Sequence, residues 1–193
     1  MSADSPNVTD PRAIRALAHP VRLTIMEYLG ARDSATATEC AEVVGLSPSA
    51  TSYHLRELAR YGLVEEAPGA DRRERRWRSV GRFSVGQGGG ADPAVRDATQ
   101  LLSRLMIGRS DEKAQRFLDA SGDEDPAWWE ASVLSESRVW LTADELKELS
   151  DALVDLLRPY GRGRRTPPEG AREVQVSLRA FPLPEAGKSD RTD

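Results

Sequence analysis

With 193 residues, 39% hydrophobic and 30% charged, the chain has the apolar material for a core but no run of about 18 apolar residues that would span a membrane. Its first ten residues are polar and hold no apolar signal core, and its single cysteine, Cys40, makes no internal disulfide, so a cytoplasmic protein is expected. The net charge of −4 argues against nucleic acid only as an average: residues 1–82 hold twelve Arg against eleven Asp and Glu (+1), residues 83–193 carry −5, and residues 71–82 alone carry +4.

In chain order, residues 1–10 read as a frayed arm. Asp10-Pro11 reads as a helix cap and first helical residue, and Ile14, Leu17, Ala18 and Val21 then recur at helical spacing, with Ile25 and Leu29 continuing the stripe. Pro20 lacks a backbone donor and clashes with the preceding turn, which predicts a break at His19 and a second helix to Leu29, stopped by Gly30. Thr36-Ala37-Thr38-Glu39 is a capping box that opens a short helix ending near Val44, with Gly45 as the turn. Ser47-Pro48 opens the next helix, which runs to Tyr61 and stops at Gly62. Leu55, Leu58 and Ala59 are predicted to point inward, while Ser49, Thr51, Ser52 and Tyr53 cluster in the first turn and a half. Short hydroxyl side chains there let a helix approach base edges closely. Two short apolar runs around Pro68-Gly69-Ala70-Asp71 predict a hairpin, and its tip and second strand hold Arg72, Arg73, Arg75, Arg76 and Arg78. Such a run is either a solvated loop or a basic wing over a phosphate backbone or minor groove; the helix just upstream favours the wing.

Three motifs in this order carry a resemblance. Arg15-Ala16-Leu17-Ala18-His19-Pro20-Val21-Arg22, then Glu39-Cys40-Ala41 with Gly45-Leu46-Ser47-Pro48-Ser49-Ala50-Thr51-Ser52-Tyr53-His54-Leu55, then Gly62-Leu63-Val64, together resemble the ArsR-type winged helix-turn-helix regulators over residues 12–82. The resemblance implies a homodimeric, mostly repressing transcription factor that leaves its double-stranded DNA operator on binding an effector. It places Ser47, Ser49, Thr51, Ser52 and His54 at the DNA; Tyr53, Arg56, Arg72, Arg73, Arg75 and Arg76 complete the expected contact set. Metal-sensing members carry paired cysteines or carboxylate and histidine ligands, whereas Cys40 stands alone. It is either a packed core thiol or a redox or metal sensor, and His54 is either a structural or phosphate-contacting histidine or a ligand. One cysteine with His19 and His54 makes no recognisable zinc site, so neither metal nor cofactor is expected.

Past the wing, Gly86-Gln87-Gly88-Gly89-Gly90-Ala91 matches a dinucleotide-binding pattern superficially, but no βαβ unit surrounds it and it reads as a linker. Asp92-Pro93 caps a helix with Val95, Ala98, Leu102 and Leu105 on one face, which either pairs with the N-terminal helix in a dimer or packs as intrachain core. Residues 111–120 read as a further short helix and 121–126 as an acidic loop. Residues 133–141 are weakly strand-like. Thr142-Ala143-Asp144-Glu145 is a second capping box, opening a helix on which Leu146, Leu149, Leu153, Leu156 and Tyr160 form one face. Residues 161–170 read as a linker; residues 173–180 alternate strictly, predicting a strand paired with 133–141 and covered by the preceding helix. Trp128, Trp129 and Trp140 either line an effector pocket or are ordinary core aromatics.

The expected fold is mainly α with small β (α+β). It comprises a winged helix-turn-helix DNA-binding domain over 1–85, a glycine-rich linker over 86–92, a helical or α+β C-terminal dimerisation or effector lobe over 93–185, and a disordered tail over 186–193. No catalytic motif is present, and helix capping accounts for two of the carboxylates at Glu136, Asp144 and Glu145, so no enzyme is expected. The competing reading is a winged-helix protein-interaction module that docks through its acidic C-terminal lobe.

Overall fold

The structure, a computed structural model, describes residues 7–8, 10–68, 75–80, 84–85, 92–161 and 166–183. The wing tip with Arg72 and Arg73, the glycine-rich stretch 86–91 and the tail 186–193 lie outside the described residues. The chain divides into two compact units, Met1–Gly122 and Asp123–Asp193.

The first unit opens with β1 (Asn7–Val8), inside the expected arm, which pairs in parallel with β5 (Ser84–Val85). Helix α1 (Pro11–Leu17) starts where Asp10 Oδ1 accepts from Arg12 N–H at 2.8 Å. The predicted break follows: His19 caps α2 (Pro20–Gly30), its Nδ1 accepting from Val21 N–H at 3.2 Å. Gly30 is the last helical residue of α2 rather than the stop, since the C-cap is Ala31. After β2 (Ala35–Thr36), α3 (Ala37–Val44) begins with the full capping box of Thr36 and Glu39. Gly45 and Gly62 adopt φ of +67° and +66°, the left-handed conformation that ends a helix without a Cβ clash. Between them lies α4 (Pro48–Arg60), capped by Ser47.

The wing strands are β3 (Val64–Glu66) and β4 (Arg76–Ser79), and the small antiparallel sheet runs β2-β4-β3, Ala35 opposite Trp77 and Val64 opposite Ser79. Ile14, Ile25, Leu29, Leu55, Leu58 and Trp77 meet in one core, with Cys40 fully buried among them. Helix α5 (Pro93–Asp119) belongs to this unit and packs along α1. Val95, Ala98 and Leu102 are buried in the same core, so this face serves intrachain packing. The short helix expected over 111–120 is the second half of α5. Gly108 is tolerated inside it, and Arg109 Nη2 and Lys113 Nζ tie it to Glu27 of α2 at 3.0 and 3.1 Å. Burial raises the Glu27 carboxyl, but hydrogen bonds from Arg109 and Lys113 outweigh it and hold the group below its ordinary value.

The second unit contains α6 (Pro126–Ala131) and α7 (Ala143–Leu157), the latter opened by its predicted capping box. The lobe is helical, and the expected strand pair of 133–141 with 173–180 does not form: residues 132–142 and 171–183 are neither helix nor strand. Alternation marks a chain suited to a sheet, but a strand also needs a neighbour, and within one chain these two stretches do not pair.

Candidate nucleic-acid interface

Helix α4 presents two faces. Thr51, Leu55 and Leu58 recur at i, i+4 and i+7 and are fully buried. Thr51 therefore does not reach DNA, contrary to the sequence expectation; its hydroxyl is sealed in the core, with no hydrogen-bond partner among the described residues. The opposite face carries Ser49, Tyr53 and Arg56, all exposed, with Ser47 exposed at the cap and Ser52 half-buried beside them. Pro at N1 and a serine cap start this helix cleanly, which leaves its N-terminal turn open to an incoming phosphate.

His54 has a supporting place. Its Nδ1 accepts from Arg22 Nε at 3.4 Å, while Arg22 Nη1 donates to Ala16 O at 3.0 Å. The rings of His54 and His19 lie 5.0 Å apart, and Tyr53 meets the His54 ring edge-on at 5.6 Å. Burial first and the Arg22 guanidinium second lower the His19 pKa; for His54, burial comes first, then the charges of His19 and Arg22. Both therefore favour the neutral ring, which keeps both Nδ1 atoms available as acceptors. The cluster fixes α4 against the α1–α2 junction. The sequence motif singled out His19-Pro20 only as a helix break and gave no sign that His19 and His54 meet.

The wing arginines divide into two kinds. Arg76 is half-buried; it donates from Nε to Ser34 Oγ at 3.0 Å and from Nη2 to Ser34 O and Glu39 Oε2, each at 3.2 Å. Glu39 Oε2 also accepts from Thr36 N–H at 2.6 Å, and this backbone bond, ahead of the Arg76 charge, holds its carboxyl below the ordinary value. Arg76 thus clasps β4 to the start of α3, a structural role beside the DNA contact expected of it. Arg75 and Arg78 are exposed and pair with Glu66 at 3.0 Å and Glu65 at 2.7 Å, pairs that solvent screens and that a phosphate can replace. Three arginines outside the expected contact set, Arg12, Arg15 and Arg22, line an open cleft of about 300 Å³ with Glu57 of α4 and Tyr61 at its C-cap.

Cys40 is buried, and burial followed by the Glu39 charge pushes its thiol up to about 11. It is a packed thiol and offers no thiolate at neutral pH. Neither reading of the tryptophans, effector pocket or core aromatics, fits their exposure: Trp129 is 42% exposed and Trp140 fully exposed, while the Arg172 guanidinium lies 4.8 Å from the Trp128 ring centre.

Two short helices joined by a glycine turn, the second exposed and followed by a β wing, define a winged helix-turn-helix unit. Residues 17–67 match the family described as "Helix-turn-helix domain". The HTH-type transcriptional regulator YgaV of Escherichia coli (strain K12) is 37% identical over 59 residues, which cover 31% of this chain and 60% of that protein. Among solved structures, the homodimeric winged helix-turn-helix DNA-binding domain of Mb0332 from Mycobacterium bovis, a possible ArsR-family transcriptional regulator, is 21% identical with a TM-score of 0.35, covering 52% of this chain and 77% of that one. A transcriptional regulator homologue from Pyrococcus horikoshii OT3 is 28% identical with a TM-score of 0.31, over 50% and 86% of the two chains. The resemblance to helix-turn-helix transcriptional regulators thus holds over residues 17–67, and no helix among the described residues is long and apolar enough to cross a membrane.

Proposed function

We propose that the chain is a sequence-reading, DNA-binding transcriptional regulator that acts as a dimer, with α4 in the major groove and the wing on the flanking backbone. The observation that carries this reading is the division of α4 into a fully buried stripe and an exposed face of Ser49, Tyr53 and Arg56, held rigid by the Arg22–His54 contact. Helices that read base edges need such a face, with donors and acceptors free and the backbone fixed. Ser47 and Ser52 flank it, and Arg72, Arg73, Arg75 and Arg78 supply guanidinium groups to the wing. Two copies bind two half-sites about 34 Å apart, one turn of DNA. The same reading makes the protein a repressor released by a non-metal effector, in keeping with a Cys40 that carries no thiolate.

The test is fluorescence anisotropy with duplex from the protein's own promoter beside a scrambled duplex, titrated with salt. Tight, salt-sensitive binding that favours the native sequence is expected. Absence of binding to either duplex at low salt would overturn the DNA reading in favour of protein docking.

A further inference from the structure

Helix α1 divides by face. Ala13, Ile14, Ala16 and Leu17 are buried, while Arg12 and Arg15, three residues apart and so on one side of the helix, are exposed. Neither guanidinium makes a hydrogen bond or ion pair among the described residues. Both line the open cleft of about 300 Å³ that α1 and α4 form together with Arg22. Arg22 is anchored there: its Nη1 donates to Ala16 O at 3.0 Å and its Nε to His54 Nδ1 at 3.4 Å, and its Nη2 has no partner among the described residues. The other wall is Glu57 and Tyr61, about one turn apart along α4 and its C-cap. Glu57 is the acidic residue of the cleft, and Arg60 lies 3.8 Å from its carboxylate and offsets it. Three guanidinium groups thus face one carboxylate that a fourth already engages.

Position says what such a cleft meets. Glu57 and Tyr61 each follow an exposed arginine, Arg56 and Arg60, by one residue, which is roughly 100° round a helix. The cleft therefore borders the exposed face of α4. A helix with its side chains is about 10–12 Å across and the major groove about 12 Å wide, so a helix seated there has a phosphate rail along each flank. We infer that Arg12, Arg15 and Arg22 bind the DNA phosphate backbone along the α1 flank of α4, as an anchor separate from the wing. A backbone phosphate needs only an open, basic surface, and this cleft is one. A small ligand draws its affinity from burying most of its surface, which an open cleft does not provide. The planar guanidinium fork, charged at every physiological pH, matches phosphate with paired donors. Arg22 also ties the anchor to the reading helix, because the side chain at the backbone is the one that braces His54 of α4. The inference rests on the DNA-binding reading and adds to it a contact outside α4 and the wing.

The experiment measures anisotropy of the full-length protein on promoter and scrambled duplexes, each titrated with salt, for wild type, R12A/R15A and R12K/R15K. Arg22 stays in place, since its loss would also release His54. Each phosphate contact adds about 0.9 to the slope of log affinity against log salt. R12A/R15A should lower that slope by about 1.8 on both duplexes, so that going from roughly 50 to 200 mM salt costs about tenfold less affinity than in wild type. Discrimination between the duplexes should stay as it is, R12K/R15K should restore the slope, and thermal melting should not move, both side chains being exposed. Should R12A/R15A melt lower, R15A alone decides, with a slope change of about 0.9. A slope equal to wild type, a slope that R12K/R15K does not restore, or a loss confined to the promoter duplex overturns the inference and leaves the DNA reading standing. Absence of wild-type binding to either duplex at low salt overturns both. Inorganic phosphate added to the DNA-free protein tests for a free anion: a saturable shift of the His54 ring resonance, with the R12A/R15A slope at the wild-type value, gives the cleft to a small anion and overturns the inference.

Discussion

The two units have similar patterns and opposite outcomes. Each has a helix opened by a threonine–glutamate capping box, Thr36 with Glu39 in the first and Thr142 with Glu145 in the second, and each has an apolar stripe at helical spacing. In the first unit every stripe finds a partner in its own chain: α4 on α3 and β3, α5 on α1, Trp77 under the sheet. In the second unit no described residue is buried. A capping box and a periodic stripe make a helix; they do not supply the surface that covers it. What makes the first unit self-sufficient is that its stripes close one core within the chain, which Arg76 reaching Ser34 and Arg22 reaching His54 fasten further.

The largest effect should come from breaking the first unit's core. Leu55→Ala removes a fully buried side chain of α4 and should cost roughly 2–5 kcal/mol in urea unfolding followed by circular dichroism. Leu156→Ala, at a position 68% exposed, should in contrast shift unfolding by no more than about 0.5 kcal/mol.

Next come the wing arginines, where position rather than charge decides. Arg76→Ala should lower stability by about 1–2 kcal/mol, because Glu39 and the Ser34 carbonyl lose a charged donor. Arg75→Ala should leave stability within ~0.5 kcal/mol, since its pair with Glu66 is exposed, yet weaken binding to all DNA sequences and reduce the salt slope by about 1. Equal losses of stability in the two variants would remove the distinction between clasp and wing.

On α4, Tyr53→Ala should reduce discrimination between native and scrambled duplex by roughly 1–2 kcal/mol while leaving the fold intact; Thr51→Ser should leave discrimination unchanged, because Thr51 faces the core.

The smallest effect is with pH. Both histidines have folded pKa values below the ordinary 6.5, so folding favours the neutral rings. Their contribution is fully present above pH 6.5 and is lost as pH falls through the lower folded values. Denaturant midpoints should drop over that acid range, and His54→Gln should flatten the drop. A stability that rose on acidification would show that the rings prefer the charged form.

Local signals were the legible ones. Asp10-Pro11, Pro20, Thr36 with Glu39, Gly45, Ser47-Pro48 and Gly62 each mark a helix end by short-range chemistry, and the structure places each helix there within a residue or two. Contact within the chain was less legible. Thr51 read as a base-reaching hydroxyl because its neighbours are hydroxyls, although its i+4 and i+7 partners, Leu55 and Leu58, place it inside. Arg76 sits among four other wing arginines, and only the fold shows that Ser34 and Glu39 claim it. The two histidines, 35 residues apart in sequence, meet through the packing of α4 on α2. The runs 133–141 and 173–180 read as strands because alternation records what a segment can pair with, and a sequence is silent on whether that neighbour lies in the same chain.

The central claim is that two copies present α4 and the wing to adjacent grooves of one duplex, and hydroxyl-radical footprinting on the promoter duplex tests it most directly. The account predicts two protected patches on one face of the DNA, about 34 Å apart, with lighter protection outside each from the wings. A single patch, or two patches on opposite faces, would contradict it.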